Sequence, residues 1–288
     1  MSVRIADISG VRRSKNMHYR YVLFRNRVEN MSIITDEKIT NDFYAFYTYY
    51  INNVYDVSFF DFNKIYYIDD IDKDLEMFGI SSHENSCGVT ILPNEVLSEE
   101  VIVICPSRTN VYENAQTIFH ELTHVYDNNR FSKHYNHNSL VDLNKIEFHH
   151  TYTFFSEFHA SAFSEMHAMN CIDIALNKNY FKGIMTNWEK LLLDYISDKR
   201  AKLLNQCFTW YDLSQLLGKF YLFDKHNHIN EIEKSCIYPY LPELFHSDKK
   251  YQIFDLYQIC WNSMKEDDIF HHLRDMQDSL DKVYSLNP

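Results

Sequence analysis

Residues 110–128, NVYENAQTIFHELTHVYDN, constrain the chain more than any other segment. Val111, Ala115, Ile118, Phe119, Leu122 and Val125 recur at the three-and-four spacing of a helix with one apolar face. Asn110, with Glu113 three residues on, resembles a capping box in which Asn replaces Ser or Thr. His120 and His124 are four apart, so on a helix their rings share one face, one turn from each other. Glu121 projects from nearly the same side. A fold containing this helix must bury the apolar stripe and hold the two imidazoles at its border.

Composition narrows the functional classes. The chain has 288 residues and only 5 glycines, where average usage would give roughly 20. No G-x-x-x-x-G-K or G-x-G-x-x-G pattern occurs, which argues against a phosphate-cradling loop. The net charge of −12 repels nucleic acid and anionic membranes. The first thirty residues oppose this trend, with Arg4, Arg12, Arg13, Lys15, Arg20, Arg25 and Arg27 against Asp7 and Glu29. No stacking platform accompanies them, so they read as a solvated arm or edge strand, and no nucleic-acid partner is expected. No apolar run suits a secretory signal or approaches the ~20 residues of a membrane span. The six cysteines are dispersed and form no C-x-x-C pair, which suits reduced thiols and a cytoplasmic location. Export as an effector, without a cleaved signal, is the alternative.

Patterning divides the chain into a basic N-terminal segment (1–34), a core (35–180) and a helical C-terminal region (181–288). Strand-like runs occur at 3–8, 19–24, 64–68, 88–92 and 101–105; the last two are β-branched and bounded by Pro and Asn or Ser. Helical periodicity is expected at 36–54, at 110–128, from about 149 to 176, and in four segments beyond 187. A polar loop is expected between residue 128 and about 145. The sum predicts an α+β class: a small sheet, the histidine-bearing helix and a second helix, followed by helices alone.

His120-Glu121-Leu122-Thr123-His124 is an H-E-x-x-H pattern. Two imidazoles one turn apart can share a zinc ion, with Glu121 placed to take a proton from a water. In a chain with 15 histidines, on the order of 0.05 accidental matches are expected, so the helical context has to carry the reading. The bland alternative is an amphipathic helix with two half-buried histidines. A catalytic zinc needs a third protein ligand. Asp127 and Arg130 stand where the longer metzincin pattern has its glycine and third histidine, so a later residue is required. Glu157, in Ser156-Glu157-Phe158-His159-Ala160, is the leading candidate, with Ala160 small enough for close helix packing. Glu165, His149, His150 and His159 are rivals. Asp127 and Ser161 are candidates to support ligands through hydrogen bonds, and Tyr152, His149 and His150 are candidates to stabilise an oxyanion.

HELTHVYDNNRF followed by SEFHASAF resembles the gluzincin-type zinc metallopeptidases, with H-E-x-x-H on one helix and E-x-x-A on the next. The wording is locally similar to the mitochondrial ATP-synthase-assembly peptidases and to the ImmA/IrrE-like peptidases. The resemblance covers about 50 residues, from His120 to about Glu165, plus the preceding strands. It implies a zincin-like core, Zn2+ held by His120, His124 and Glu157, Glu121 as general base, and a peptide or protein substrate. A non-catalytic zincin-shaped binding module and a host-directed effector protease are the alternative readings. A substrate strand could add to the edge of 88–92 or of 101–105. His226 with His228, and His271 with His272, read as solvated surface.

Overall fold

The computed structural model of the chain describes residues 32–34, 46–55, 62–67, 88–91, 100–104, 111–135, 143–176, 188–205, 208–245 and 249–285. The strand-like runs at 3–8 and 19–24 and the Asn110 cap lie outside them. The helices are α1 (46–53 as described), α2 (Val111–His134), α3 (His149–Leu176), α4 (Trp188–Leu204), α5 (Trp210–His226), α6 (Leu241–Leu244), α7 (Lys249–Glu266) and α8 (Leu273–Ser285). Among the described residues no helix is long and apolar enough to cross a membrane.

The chain divides into two compact units. The first comprises residues 1–143 and 164–180, the second 144–163 and 181–288, so α3 runs through both. Among the described residues, the buried cluster of the first unit packs helix against helix. Phe46, Tyr47, Tyr49 and Tyr50 of α1 meet Ala115, Ile118, Phe119, Leu122 and Val125 of α2 and Ala168, Cys171 and Ile172 of α3. Phe119 is the hub: it stacks on Tyr49 with ring centroids 5.7 Å apart and meets Phe46 edge-on at 6.2 Å. Such aromatic pairs add about 0.5–1.5 kcal/mol each beyond the area they bury. The aromatic run of α1 is therefore packing surface. The hydroxyl of Tyr50, the most deeply buried of its tyrosines, is satisfied, lying 2.9 Å from Thr123 Oγ1.

α2 is longer than its sequence pattern suggests and continues to His134. Phe131 is fully buried, which holds the added turn down. The Asn128 and Asn129 side chains donate back to the carbonyls of His124 and Val125, so the polar run extends the helix instead of leaving it. Lys133 and His134 in the last turn complement the helix dipole.

Four strands, β1 (Ser32–Ile34), β2 (Phe62–Tyr67), β3 (Gly88–Ile91) and β4 (Glu100–Ile104), pair in the order β1-β2-β4-β3. β3 is antiparallel to β4, and the other pairings are parallel. These strands do not set the class of the fold. Helices hold 83% of the residues whose packing is described, and the described core is built by helices throughout. The expected α+β class, a zincin-like core of a small sheet with the histidine-bearing helix and a second ligand helix, followed by a helical C-terminal part, is thus corrected to a helical one. The physical reason is one of area: strands of three to six residues present few side chains, whereas the long aromatic-rich helices bury Tyr and Phe rings against one another.

In the second unit, α5 begins with a capping box: Thr209 Oγ1 accepts from the Asp212 N–H, and the Asp212 carboxylate accepts from the Thr209 N–H. Asp212 also receives Lys199 Nζ at 2.6 Å and Lys202 Nζ at 2.8 Å, tying α4 to α5. Asp224, fully buried in α5, accepts from the Tyr257 hydroxyl of α7 at 2.7 Å and from the Cys236 N–H at 2.8 Å, and it pairs with the Ser235 hydroxyl.

Candidate metal centre

Helical spacing puts His120 and His124 on one face of α2, and the structure turns both Nε2 atoms to the same point, 3.0 Å apart. The rings are nearly perpendicular, at 85°. Glu157, on α3, joins them: one ligand atom from each of His120, His124 and Glu157 lies within 4.8 Å of the others. Among the described residues this is the group of His, Cys, Asp and Glu side chains close enough to share an ion, and Glu165, His149, His150 and His159 stand outside it.

The donor set fits zinc. Two imidazole nitrogens and a carboxylate oxygen are ligands that zinc accepts in catalytic sites, with a fourth position left open. Bonds of ~2.0–2.1 Å at tetrahedral angles put neighbouring nitrogens about 3.3 Å apart, close to the separation found here. Two imidazole nitrogens facing each other at 3.0 Å also call for a proton or a cation between them.

Glu121 sits beside the pair and is 4% exposed. Its carboxylate is held from β3. Thr90 Oγ1 donates to Glu121 Oε2 at 2.6 Å and lies 3.3 Å from the Glu121 carbonyl oxygen. A Cβ placed on Gly88 would meet Glu121 Oε1 at 2.8 Å and Thr117 Cγ2 at 2.7 Å, so any side chain there would displace the Glu121 carboxylate or the Thr117 methyl group.

The other candidates fall in different surroundings. Asp127 is fully buried. Burial, more than any other factor, holds the Tyr50 hydroxyl protonated well above its ordinary range; the Thr123 hydrogen bond opposes this, and the Asp127 charge adds to it. Ser161 is buried one turn after Glu157, where it packs on Gly218 of α5. Tyr152 is buried, its ring stacked on Phe270 at 5.7 Å. His150 is exposed with its ring edge-on to Trp210, and burial together with the neighbouring His150 lowers the pKa of His149. His159 is 1% exposed, with the rings of Phe155 and Phe163 against it.

Three residues at this site were not singled out in the sequence: Gly88, Thr90 and Gly218. Their signal is scarcity. In a chain with 5 glycines, Gly88 and Gly218 both mark a point where another element comes too close for a side chain. A Cβ on Gly218 would lie 2.6 Å from the Phe158 carbonyl oxygen, 2.9 Å from Ser161 Cβ and 3.1 Å from the Ala162 nitrogen. Thr90, two residues after Gly88 on a strand, shares its face.

No protein-family model matches the chain, and no curated protein and no solved structure matches it. The functional reading therefore rests on the geometry of the site and on the local resemblance of its two motifs.

Proposed function

We propose that the chain is a zinc-dependent metallopeptidase of the gluzincin type. The observation that supports this best is the convergence of His120, His124 and Glu157, with Glu121, the residue next to His120, held beside them by Thr90. His120, His124 and Glu157 would hold the ion. Zinc, when bound, acts as a Lewis acid and brings the pKa of a water towards 7. Glu121 does the proton work: its carboxylate accepts a proton from the attacking water and delivers it to the departing amine. Its burial keeps bulk water from competing for that proton. Among the described residues β3 pairs only with β4, while β4 lies between β2 and β3. Of the two strands offered for substrate addition, β3 is thus the edge, and an extended peptide or protein segment could pair with it. Dispersed cysteines suit a cytoplasmic setting for this activity.

The test has two parts. Elemental analysis of wild type, His124→Ala and Glu157→Ala should find about one zinc per chain in the first and little in the others. Incubating wild type and Glu121→Gln with a mixed protein lysate, then mapping new N-termini, should show cleavage by the wild type alone. Absence of bound zinc after zinc is supplied, or equal cleavage by Glu121→Gln, would overturn the proposal.

A further inference from the structure

Resting on that reading, we infer that Thr90 is a positioning residue for the general base, working in a cradle that Gly88 keeps open. The two carboxylate oxygens of Glu121 have different surroundings. Oε2 receives the Thr90 hydroxyl at 2.6 Å, the short distance expected when an O–H donates to a charged acceptor. Oε1 lies over Gly88, where a Cβ would come within 2.8 Å. The strand therefore binds one oxygen and makes room for the other, which leaves Oε1 as the oxygen to exchange a proton with a water. Residues 88 and 90, two apart on the strand, share one face of β3, and both meet the Glu121 carboxylate.

The arrangement addresses a geometric problem. A Glu side chain has three rotatable bonds, and on an α-helix its backbone leaves the carboxylate free to swing. A general base must sit within hydrogen-bond reach of the proton it takes. His120 and His124 are oriented by helical spacing, but nothing within α2 fixes Glu121. The Thr90 hydroxyl, reaching across 31 residues of sequence, supplies the restraint. The Thr90 hydroxyl is directed to Glu121, and Thr90 is not a member of the His120, His124 and Glu157 group. Its loss should therefore leave the ion in place and disturb proton transfer only.

The experiment uses the full-length protein, with Thr90→Val, Thr90→Ser and Gly88→Ala compared with wild type and Glu121→Gln. The probe is casein carrying a quenched fluorophore. Zinc content should stay at the wild-type ratio in all variants. Thr90→Val should lower kcat about tenfold or more with KM within about twofold, since misplacing a reacting group acts on the chemical step. Thr90→Ser, which restores the hydroxyl, should recover most of the rate. Gly88→Ala should resemble Thr90→Val, because its methyl group displaces Glu121. A second readout needs no turnover. In the zinc-free protein, Thr90→Val should shift the urea midpoint in the Glu121 background but much less in a Glu121→Ala background, which lacks the acceptor, the signature of a coupled pair. Full kcat in Thr90→Val, or equal midpoint shifts in both backgrounds, would overturn the assignment of Thr90. If instead wild type itself binds no zinc, or Glu121→Gln still cleaves casein, the peptidase reading fails, an outcome distinguishable from the failure of Thr90.

Discussion

On the proposed reading, in which Glu157 is a zinc ligand, replacing Gly218 by alanine should weaken metal binding, although Gly218 offers no ligand. α5 crosses α3 in the turn that follows Glu157, and the crossing is so close that a new Cβ would sit 2.6 Å from the Phe158 carbonyl oxygen and 2.9 Å from Ser161 Cβ. Ordinary contact begins near 3.4 Å, so the helices must part by up to about 0.8 Å at this point. Backbone and Cβ atoms cannot rotate away, so the displacement is shared between α5 and the turn of α3 that follows Glu157. Zinc ligands tolerate deviations of only ~0.2 Å. An outer-sphere disturbance of this kind costs about 10–100-fold in affinity. The stability change should be smaller: overpacking costs about 1–3 kcal/mol, and alanine returns up to ~1 kcal/mol as the better helix former. Competition with a chromophoric chelator measures the zinc Kd, and urea unfolding of the zinc-free protein measures the other quantity. Unchanged zinc affinity in Gly218→Ala would refute the idea that this crossing sets the position of Glu157.

Other outcomes follow from the second unit. Burial raises the pKa of the Asp212 carboxyl, but the hydrogen bonds from Lys199 and Lys202 and from the Thr209 N–H outweigh it and bring it down to about 2. Since the folded value lies below the unfolded one of 3.8, this stabilisation is present above about pH 4 and is lost as pH falls towards 2. Asp212→Ala should lose about 3–5 kcal/mol at neutral pH by leaving the buried Lys199 uncompensated, and its unfolding free energy should vary less than that of wild type between pH 4 and 2. Asp224→Ala removes the acceptor shared by Tyr257, Ser235 and Cys236. A loss of about 3 kcal/mol or more is expected by urea denaturation, at ~1–3 kcal/mol for each buried donor left unmet. A loss below about 1 kcal/mol would show that these donors find other partners.

What the sequence determined by itself was local. The spacing of Val111, Ala115, Ile118, Phe119, Leu122 and Val125 specifies α2, and the four-residue separation of His120 and His124 brings their rings together once that helix forms. The periodicity of 149–176 likewise locates α3, whose observed bounds are His149–Leu176. The end of α2 was less legible, because the Asn-rich run reads as loop until Phe131 is buried and the Asn side chains bond back to the helix. The class of the fold was misread from β-branched runs, since local pattern marks a strand but does not say how much of the core it builds. Only the tertiary structure decided which of Glu157, Glu165, His149, His150 and His159 meets the two imidazoles. Rotation about a helix axis separates neighbours by about 100° per residue, and which of these residues faces α2 depends on how the helix is docked. The same holds for Thr90 on Glu121 and for Gly218 against Phe158. Each depends on a contact between distant segments, and periodicity within one segment carries no information about what docks against it.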